Sequence, residues 1–304
     1  MSNHLGTLYI VATPIGNLED LSSRARRILF EVPFIAAEDT RETLKLLNLV
    51  RAVPETHDTQ PSGLRLNFPR LVSYHEHNEE QRAQELIELL KGGNSVALVS
   101  DAGTPAISDP GYRLVSLAHL NRIPVVPIPG PCAVTTLLCA SGLPTNRFMF
   151  VGFLPQKSQA RDAEITSWKA TDRGITIVFY ESTRRLERTF EALARIHPNA
   201  HLTVGRELTK FHEEIVRFPI GEAQLWLNSH PTLKGEVAVV FHLPPESFAS
   251  ANLEDQQNKE QLISQAQEEF KRGESLKTIL QKYRNIGIRR SDLYALLLEA
   301  KNKR

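Results

Sequence analysis

The run Val96-Ala97-Leu98-Val99 and the segment SDAGTPAISDPG that follows it, residues 100–111, constrain the fold of this chain most. Four apolar residues bounded by turn formers read as a short buried strand. Gly103 and Gly111 admit backbone angles that other residues avoid, and Pro105 and Pro110 stiffen their neighbours. Asp101 is left at the carboxyl end of a strand, where open α/β sheets bind ligands.

The same grammar recurs along the first third of the chain. Strands are expected at Leu8–Ala12, Phe34–Ala37, Val96–Ser100 and Val125–Ile128. Helical patterns lie between them at Leu21–Phe30, Thr43–Leu49, Glu79–Leu90 and Arg113–Leu120. Short apolar strands alternating with amphipathic helices imply an α/β domain with a largely parallel sheet. We place it at residues 1–121.

A second α/β domain is expected over residues 122–245. Its strands are Phe148–Phe153, Thr176–Tyr180, His201–Gly205, Glu214–Phe218 and Glu236–His242, with helices around Ala160–Ala170 and over Ser182–Ile196. Glu214–Phe218 follows closely on its predecessor, which implies a mixed sheet. A cleft between two such domains is a common ligand site. Residues 246–259 are polar and read as a linker. Residues 260–304 carry three helical patterns, with Ser275 and Ser291 as N-caps and Gly287 in a turn, and resemble a helix-turn-helix unit.

Composition narrows the classes. The chain has 304 residues, 41% hydrophobic and 23% charged, which suits a globular protein with more than one core. Its net charge of +1 does not announce a nucleic-acid partner, but from Phe270 to Arg304 ten Lys and Arg face three Asp and Glu. Cys132 and Cys139 lie seven apart on one helical pattern, so a mutual disulfide is not expected and a reducing, cytoplasmic setting is. No apolar stretch approaches the ~20 residues that span a bilayer, and the N-terminus lacks a signal-peptide pattern.

Two further strand ends carry turns suited to ligands. The first strand runs into Thr13-Pro14-Ile15-Gly16-Asn17, and the fourth into Pro129-Gly130-Pro131-Cys132-Ala133. Neither is a phosphate-loop or dinucleotide fingerprint. Residues 52–69 hold three prolines and no periodicity, an unusually long loop within a compact domain. His75 and His77 lack a third ligand, so no metal site is expected.

The segments VATPIGNLEDLS, AAEDTRET, SYHEHNE, VALVSDAGTPAISDPG, PIPGPCA, GFLPQKS, FYESTRR and GRELTK occur in this order. Together they closely resemble the ribosomal RNA methylating branch of the tetrapyrrole methylase superfamily. The resemblance spans residues 8 to about 242, with a matching C-terminal helical unit. It implies two α/β domains of tetrapyrrole methylase type with a cofactor cleft between them, plus a small helical domain. It implies S-adenosylmethionine as methyl donor, without metal, and the ribose 2′-hydroxyl of cytidine 1402 in 16S rRNA of the small ribosomal subunit as acceptor. It also implies a homodimer that does not use a membrane. Methylation of a tetrapyrrole carbon, and a nucleotide-sensing nucleic-acid-binding regulator, are the alternatives.

Carried onto this sequence, the resemblance implies cofactor contacts from Pro14, Gly16, Ser100, Asp101, Ala102, Ile107, Cys132, Ala133, Tyr180, Glu207 and Gly235. Asn17 stands where the superfamily's first loop usually has an acidic residue. Methyl transfer to a weakly nucleophilic hydroxyl calls for positioning and a general base. Candidates at the polar strand ends are Glu38, Asp39, Arg41 and Glu181. Candidates for RNA contact are Arg24, His75, Arg184, Arg185, Lys210, Arg289 and Arg290, because phosphate contacts dominate RNA affinity.

Overall fold

A computed structural model describes residues 4–52, 68–169, 174–245 and 262–283, and within the last helical stretch 293–294, 297–298 and 300–301. The expected linker, most of the loop at 52–69, and Gly287, Arg289, Arg290 and Ser291 lie outside the described residues.

The first sheet contains β1 (Leu8–Val11), β2 (Phe34–Ala37), β3 (Arg70–Ser73), β4 (Val96–Val99) and β5 (Val125–Ile128), in the order β3-β2-β4-β1-β5. Every pairing is parallel. Helices α1 (Ser23–Glu31), α2 (Thr40–Ala52), α3 (Glu79–Lys91) and α4 (Tyr112–Leu120) cover it. A parallel sheet covered on both faces has strands apolar throughout, and all of β4 is buried. Its side chains alternate between two clusters. Val96 and Leu98 pack with Leu86, Ile87 and Leu114 of α3 and α4, whereas Ala97 and Val99 pack with Ile28, Leu29 and Leu47 of α1 and α2.

Because β5 hydrogen-bonds along β1, the first sheet extends past residue 121, the boundary expected from sequence. The chain then enters α5 (Ala133–Ala140), β6 (Phe148–Phe153), α6 (Ser158–Ser167), β7 (Ile175–Ser182), α7 (Leu186–Ile196), β8 (His201–Arg206), β9 (Glu214–Pro219), α8 (Ala223–Asn228) and β10 (Glu236–Leu243). The second sheet runs β6-β7-β10-β8-β9. It is mixed: β6 and β7 are parallel, and the other pairs are antiparallel.

Several boundaries moved for physical reasons. Ser182 pairs with Glu236 as the last rung of the β7–β10 ladder, so α7 starts at Leu186 rather than at Ser182. Helix α1 starts at Ser23, because the Ser22 hydroxyl accepts from the Ala25 amide at 3.1 Å. Helix α2 spans two more turns than the apolar spacing suggested.

Both sheets fall in one compact unit of the chain. Ile15, from the turn after β1, packs among Val134, Leu137, Val178 and Val240 of α5 and the second sheet. On that sheet's other face Trp168 lies 6.1 Å from both Phe179 and Phe241.

The C-terminal residues form a second unit with its own apolar cluster. Helix α9 (residues 262–271) and helix α10 (Leu276–Lys282) contribute Leu262, Ala266, Phe270 and Ile279 to it. Ser275 caps α10 by accepting from the Thr278 amide at 3.2 Å. Among the described residues, no helix is long and apolar enough to cross a membrane.

Candidate functional site

The chain path opens the first sheet at one point. From β1 the connection moves to β2 on one side, and from β4 it moves to β5 on the other, while β1 and β4 are neighbours. Their carboxyl ends therefore diverge into a crevice, the place where such sheets bind ligands. The two loops that leave it are stitched together. Thr13 N donates to Gly103 O at 2.8 Å, Gly103 N donates back to Thr13 O at 3.1 Å, and Thr13 Oγ1 donates to Ser100 O at 3.2 Å.

A cavity of about 420 Å³ lies at these strand ends and is closed by the second sheet. That is within the range of small-molecule sites. From the first sheet come Ile15, Glu38 and residues 101–104 and 107–109 of the loop after β4. Cys132 and Ala133 enter at the start of α5. Tyr180, Glu181 and Ser182 come from β7, Gly205 and Leu208 from β8 and its turn, and Gly235 to Ala238 from the start of β10. The walls are largely apolar and small, and the charged groups are carboxylates.

The structure thus brings together, around one cavity, Asp101, Ala102, Ile107, Cys132, Ala133, Tyr180 and Gly235 of the expected cofactor set. The others stand back from it. Ser100 is buried behind the loop, its hydroxyl between Gly103 O at 3.4 Å and the Asp109 carboxylate. The Lys210 chain packs against Gly16, and Pro14 is not in the lining. Asn17 is used locally, accepting from the Glu19 amide at 3.1 Å. Glu207 accepts from Glu236 N at 2.9 Å and from Lys210 Nζ at 3.0 Å, which fixes a turn rather than lining the cavity. Those hydrogen bonds, led by the Glu236 amide, hold its carboxyl below the usual range.

The four catalytic candidates separate sharply. Glu181 lines the cavity, but its side chain is only 1% exposed. Arg185 Nη2 lies 2.6 Å away, and Thr189 Oγ1 and Ser182 N donate to it at 2.8 Å each. Its oxygens are thus taken up in holding Arg185, Thr189 and the end of β7. Asp39 accepts from Arg41 through Nε at 3.0 Å, Nη2 at 2.6 Å and the backbone amide at 2.8 Å. These bonds hold its carboxyl far below the usual range and tie up the guanidinium. Neither residue lines the cavity. Glu38 does, and accepts from the Asp101 amide at 3.3 Å, while Asp101 accepts from the Asp39 amide at 2.9 Å. Burial pushes Glu38 and Asp101 above their ordinary values.

The residue that sequence reasoning passed over is Asp109. It stands in the same SDAGTPAISDPG segment and also lines the cavity. Burial pushes its carboxyl up to about 6, the neighbouring charges of Glu38 and Asp101 add to this, and the Ser100 hydroxyl opposes it. Tyr180 is likewise pushed up by burial, and its hydroxyl accepts from the Val134 amide in the first turn of α5.

Of the RNA candidates, Arg24 and Arg184 are exposed. Arg185 is spent on Glu181 and on Leu154 O at 3.0 Å, and Lys210 on Glu207 and Glu236 at 3.0 Å each. His75 points its ring inward, with Nε2 3.1 Å from Asn78 Nδ2 and Nδ1 buried. Arg289 and Arg290 lie outside the described residues.

Comparison with known proteins agrees with this geometry. The family model described as Tetrapyrrole (Corrin/Porphyrin) Methylases matches residues 7–224. A protein of Halalkalibacterium halodurans named ribosomal RNA small subunit methyltransferase I is 42% identical over 294 residues, covering 95% of this chain and 93% of its own. One of the same name from Escherichia coli O157:H7 is 44% identical over 240 residues, 78% of each chain. Among solved structures, a uroporphyrin-III C-methyl transferase of Thermus thermophilus in complex with S-adenosyl homocysteine superposes with a TM-score of 0.51 at 17% identity. It covers 77% of this chain and 97% of that one.

Proposed function

From the premise that this chain belongs to the tetrapyrrole methylase family, in the branch of the ribosomal RNA small subunit methyltransferases, we propose the following function. It transfers a methyl group from S-adenosylmethionine to the ribose 2′-hydroxyl of cytidine 1402 in 16S rRNA. The observation that carries the reading is the cavity at the divergence of β1 and β4, whose carboxylates face apolar walls.

The donor set fits that cofactor. Its adenosine and methionine parts need a small, largely apolar chamber, and its positive charge needs anionic neighbours. Ile15, Ala133, Leu208 and Val237 supply the former; Asp101 and Glu38 supply the latter. When bound, S-adenosylmethionine supplies an activated methyl group on a cationic sulfur. The protein's own work is then to align the acceptor oxygen, exclude water and take up a proton.

The RNA substrate comes from the names of the relatives, and the ribose oxygen and position from the motif resemblance. Arg24, Arg184 and the basic stretch from Phe270 to Arg304 are the cationic groups we assign to phosphate contact. Action on ribosomal particles in the cytoplasm, as a homodimer, completes the reading.

The test is methyl transfer from tritiated cofactor to small-subunit particles, with uroporphyrinogen offered in parallel. A labelled nucleotide that resists alkaline cleavage at position 1402 is the expected product. Label on the tetrapyrrole alone, or on an RNA base, overturns the reading. Asp101→Ala is expected to weaken S-adenosylhomocysteine binding about tenfold by calorimetry; unchanged binding removes Asp101 from the cofactor site.

A further inference from the structure

We infer that the Asp109 carboxylate, which lines the cavity and is held by the Ser100 hydroxyl, is the proton acceptor for the hydroxyl that is methylated. The inference rests on the function proposed above, because it needs an acceptor that gives up an O–H proton.

Elimination among the acidic groups at the cavity leads there. Glu181 is saturated by Arg185, Thr189 and the Ser182 amide. Glu236 is paired with Lys210 at 3.0 Å. Asp101 and Glu38 are each engaged in tying the end of β2 to the loop after β4, Glu38 accepting the Asp101 amide and Asp101 the Asp39 amide. Asp109 is held by the Ser100 side chain and lines the cavity alongside them. The titratable groups bearing on it are Glu38 from the end of β2, Asp101 from the loop after β4 and Tyr180 from β7, which itself faces Cys132. No cation is among them, and like-charge repulsion from Glu38 and Asp101 disfavours the carboxylate and makes it a stronger base.

The loop geometry is independent of that chemistry. Ala106 and Ser108 hold φ of 67° and 62°, a left-handed conformation that non-glycine residues rarely adopt. Gly152 on β6 leaves space for the Ser108 hydroxyl, which would lie 3.2 Å from a β-carbon there. Strain of this kind persists only where the surroundings enforce it, and here it falls in the segment between Asp101 and Asp109 that lines the cavity.

The step balances. The acceptor oxygen bonds to the methyl carbon while the carbon–sulfur bond breaks and its electron pair stays on sulfur. The hydroxyl proton passes to Asp109 Oδ and then to solvent. Sulfonium and carboxylate become thioether and carboxylic acid, with no other reactant.

The experiment is single-turnover transfer to small-subunit particles between pH 5 and 8.5 by the wild type, Asp109→Asn and Ser100→Ala. S-adenosylhomocysteine binding is measured on each by calorimetry. The expected result is a rate that rises with pH through about 6 in the wild type. In Asp109→Asn the rate falls on the order of 10²-fold or more and loses this limb, while binding stays within about threefold. Ser100→Ala, an independent readout, moves the limb to higher pH, because its hydroxyl favours the carboxylate. Asp109→Asn within about threefold of the wild-type rate, a limb that persists in it, or an unmoved limb in Ser100→Ala overturns the inference and leaves the proposed function standing. A wild type that binds S-adenosylhomocysteine but labels no RNA overturns both.

Discussion

Thr13 and Gly103, ninety residues apart, exchange backbone hydrogen bonds in both directions, at 2.8 and 3.1 Å. That single antiparallel bridge joins the turn after β1 to the loop after β4. Both cavity-lining segments of the first sheet's switch point are therefore fixed by one contact.

Gly103 is needed at that contact. Its φ is 90°, and a β-carbon there would meet Ile15 Cγ2 at 3.3 Å. Gly103→Ala is expected to cost about 1–2 kcal/mol in backbone strain and to weaken S-adenosylhomocysteine binding several-fold, because Ile15 walls the cavity. Denaturant unfolding and calorimetry check this. A variant as stable as the wild type would show that the bridge does not constrain the loop.

Glu181 is expected to behave as a structural anion. Glu181→Gln keeps the shape but leaves Arg185 without its carboxylate, a loss we put at about 2 kcal/mol because Arg185 keeps some solvent. The melting temperature should fall by about 5 °C, while transfer below the transition stays within a few-fold. A variant of undiminished stability with activity lost would return Glu181 to the list of bases.

Much of this was legible in the sequence. Val96–Val99 could only be a strand covered on both faces, and the polar loop after it had to lie at a strand end. The short edge strand β3 was not legible, because Arg70–Ser73 has no alternation and draws its order from pairing with β2. The resemblance carried by the motif segments pointed to Asp101, Ala102, Ile107, Cys132, Ala133, Tyr180 and Gly235, all of which line the cavity. It could not rank the acids. Asp39, Glu181 and Glu207 read from sequence as available carboxylates, and only their neighbours Arg41, Arg185 and Lys210 show each to be occupied. Asp109 is not singled out in the sequence, since what distinguishes it is burial beside Asp101 and beside Glu38, which is remote in sequence.

Asp109 also predicts how stability depends on pH. Its carboxyl sits at about 6 in the folded protein, against 3.8 as the ordinary value. A raised folded-state value means that the native protein binds the proton more tightly than the unfolded chain. The stabilisation is fully present below about pH 4 and is lost as pH rises through 6. Asp109→Asn escapes that loss. It is expected to be more stable than the wild type at pH 7.5, by on the order of 1 kcal/mol after allowance for solvent, and to match it near pH 4. Urea unfolding at the two values decides; a variant less stable at pH 7.5 would mean that the carboxylate is not desolvated.

The C-terminal unit is expected to serve the RNA alone. Among the described residues, those lining the cavity lie between Ile15 and Ala238, while the C-terminal helices bury Leu262, Phe270 and Ile279 in a cluster of their own. From Phe270 onward ten basic residues face three acidic ones. Among them, Lys282 pairs with Glu269, and Arg272 lies 3.9 Å from Glu268. Deleting residues 246–304 should therefore leave S-adenosylhomocysteine affinity unchanged and weaken binding to the small-subunit particle. It should also flatten the dependence of log K on log salt by about 0.7–0.9 for each phosphate contact removed. A deletion that lowers affinity equally at all salt concentrations would mean that the tail acts by shape or by pairing with a second copy. An unchanged RNA affinity would remove the tail from recognition altogether.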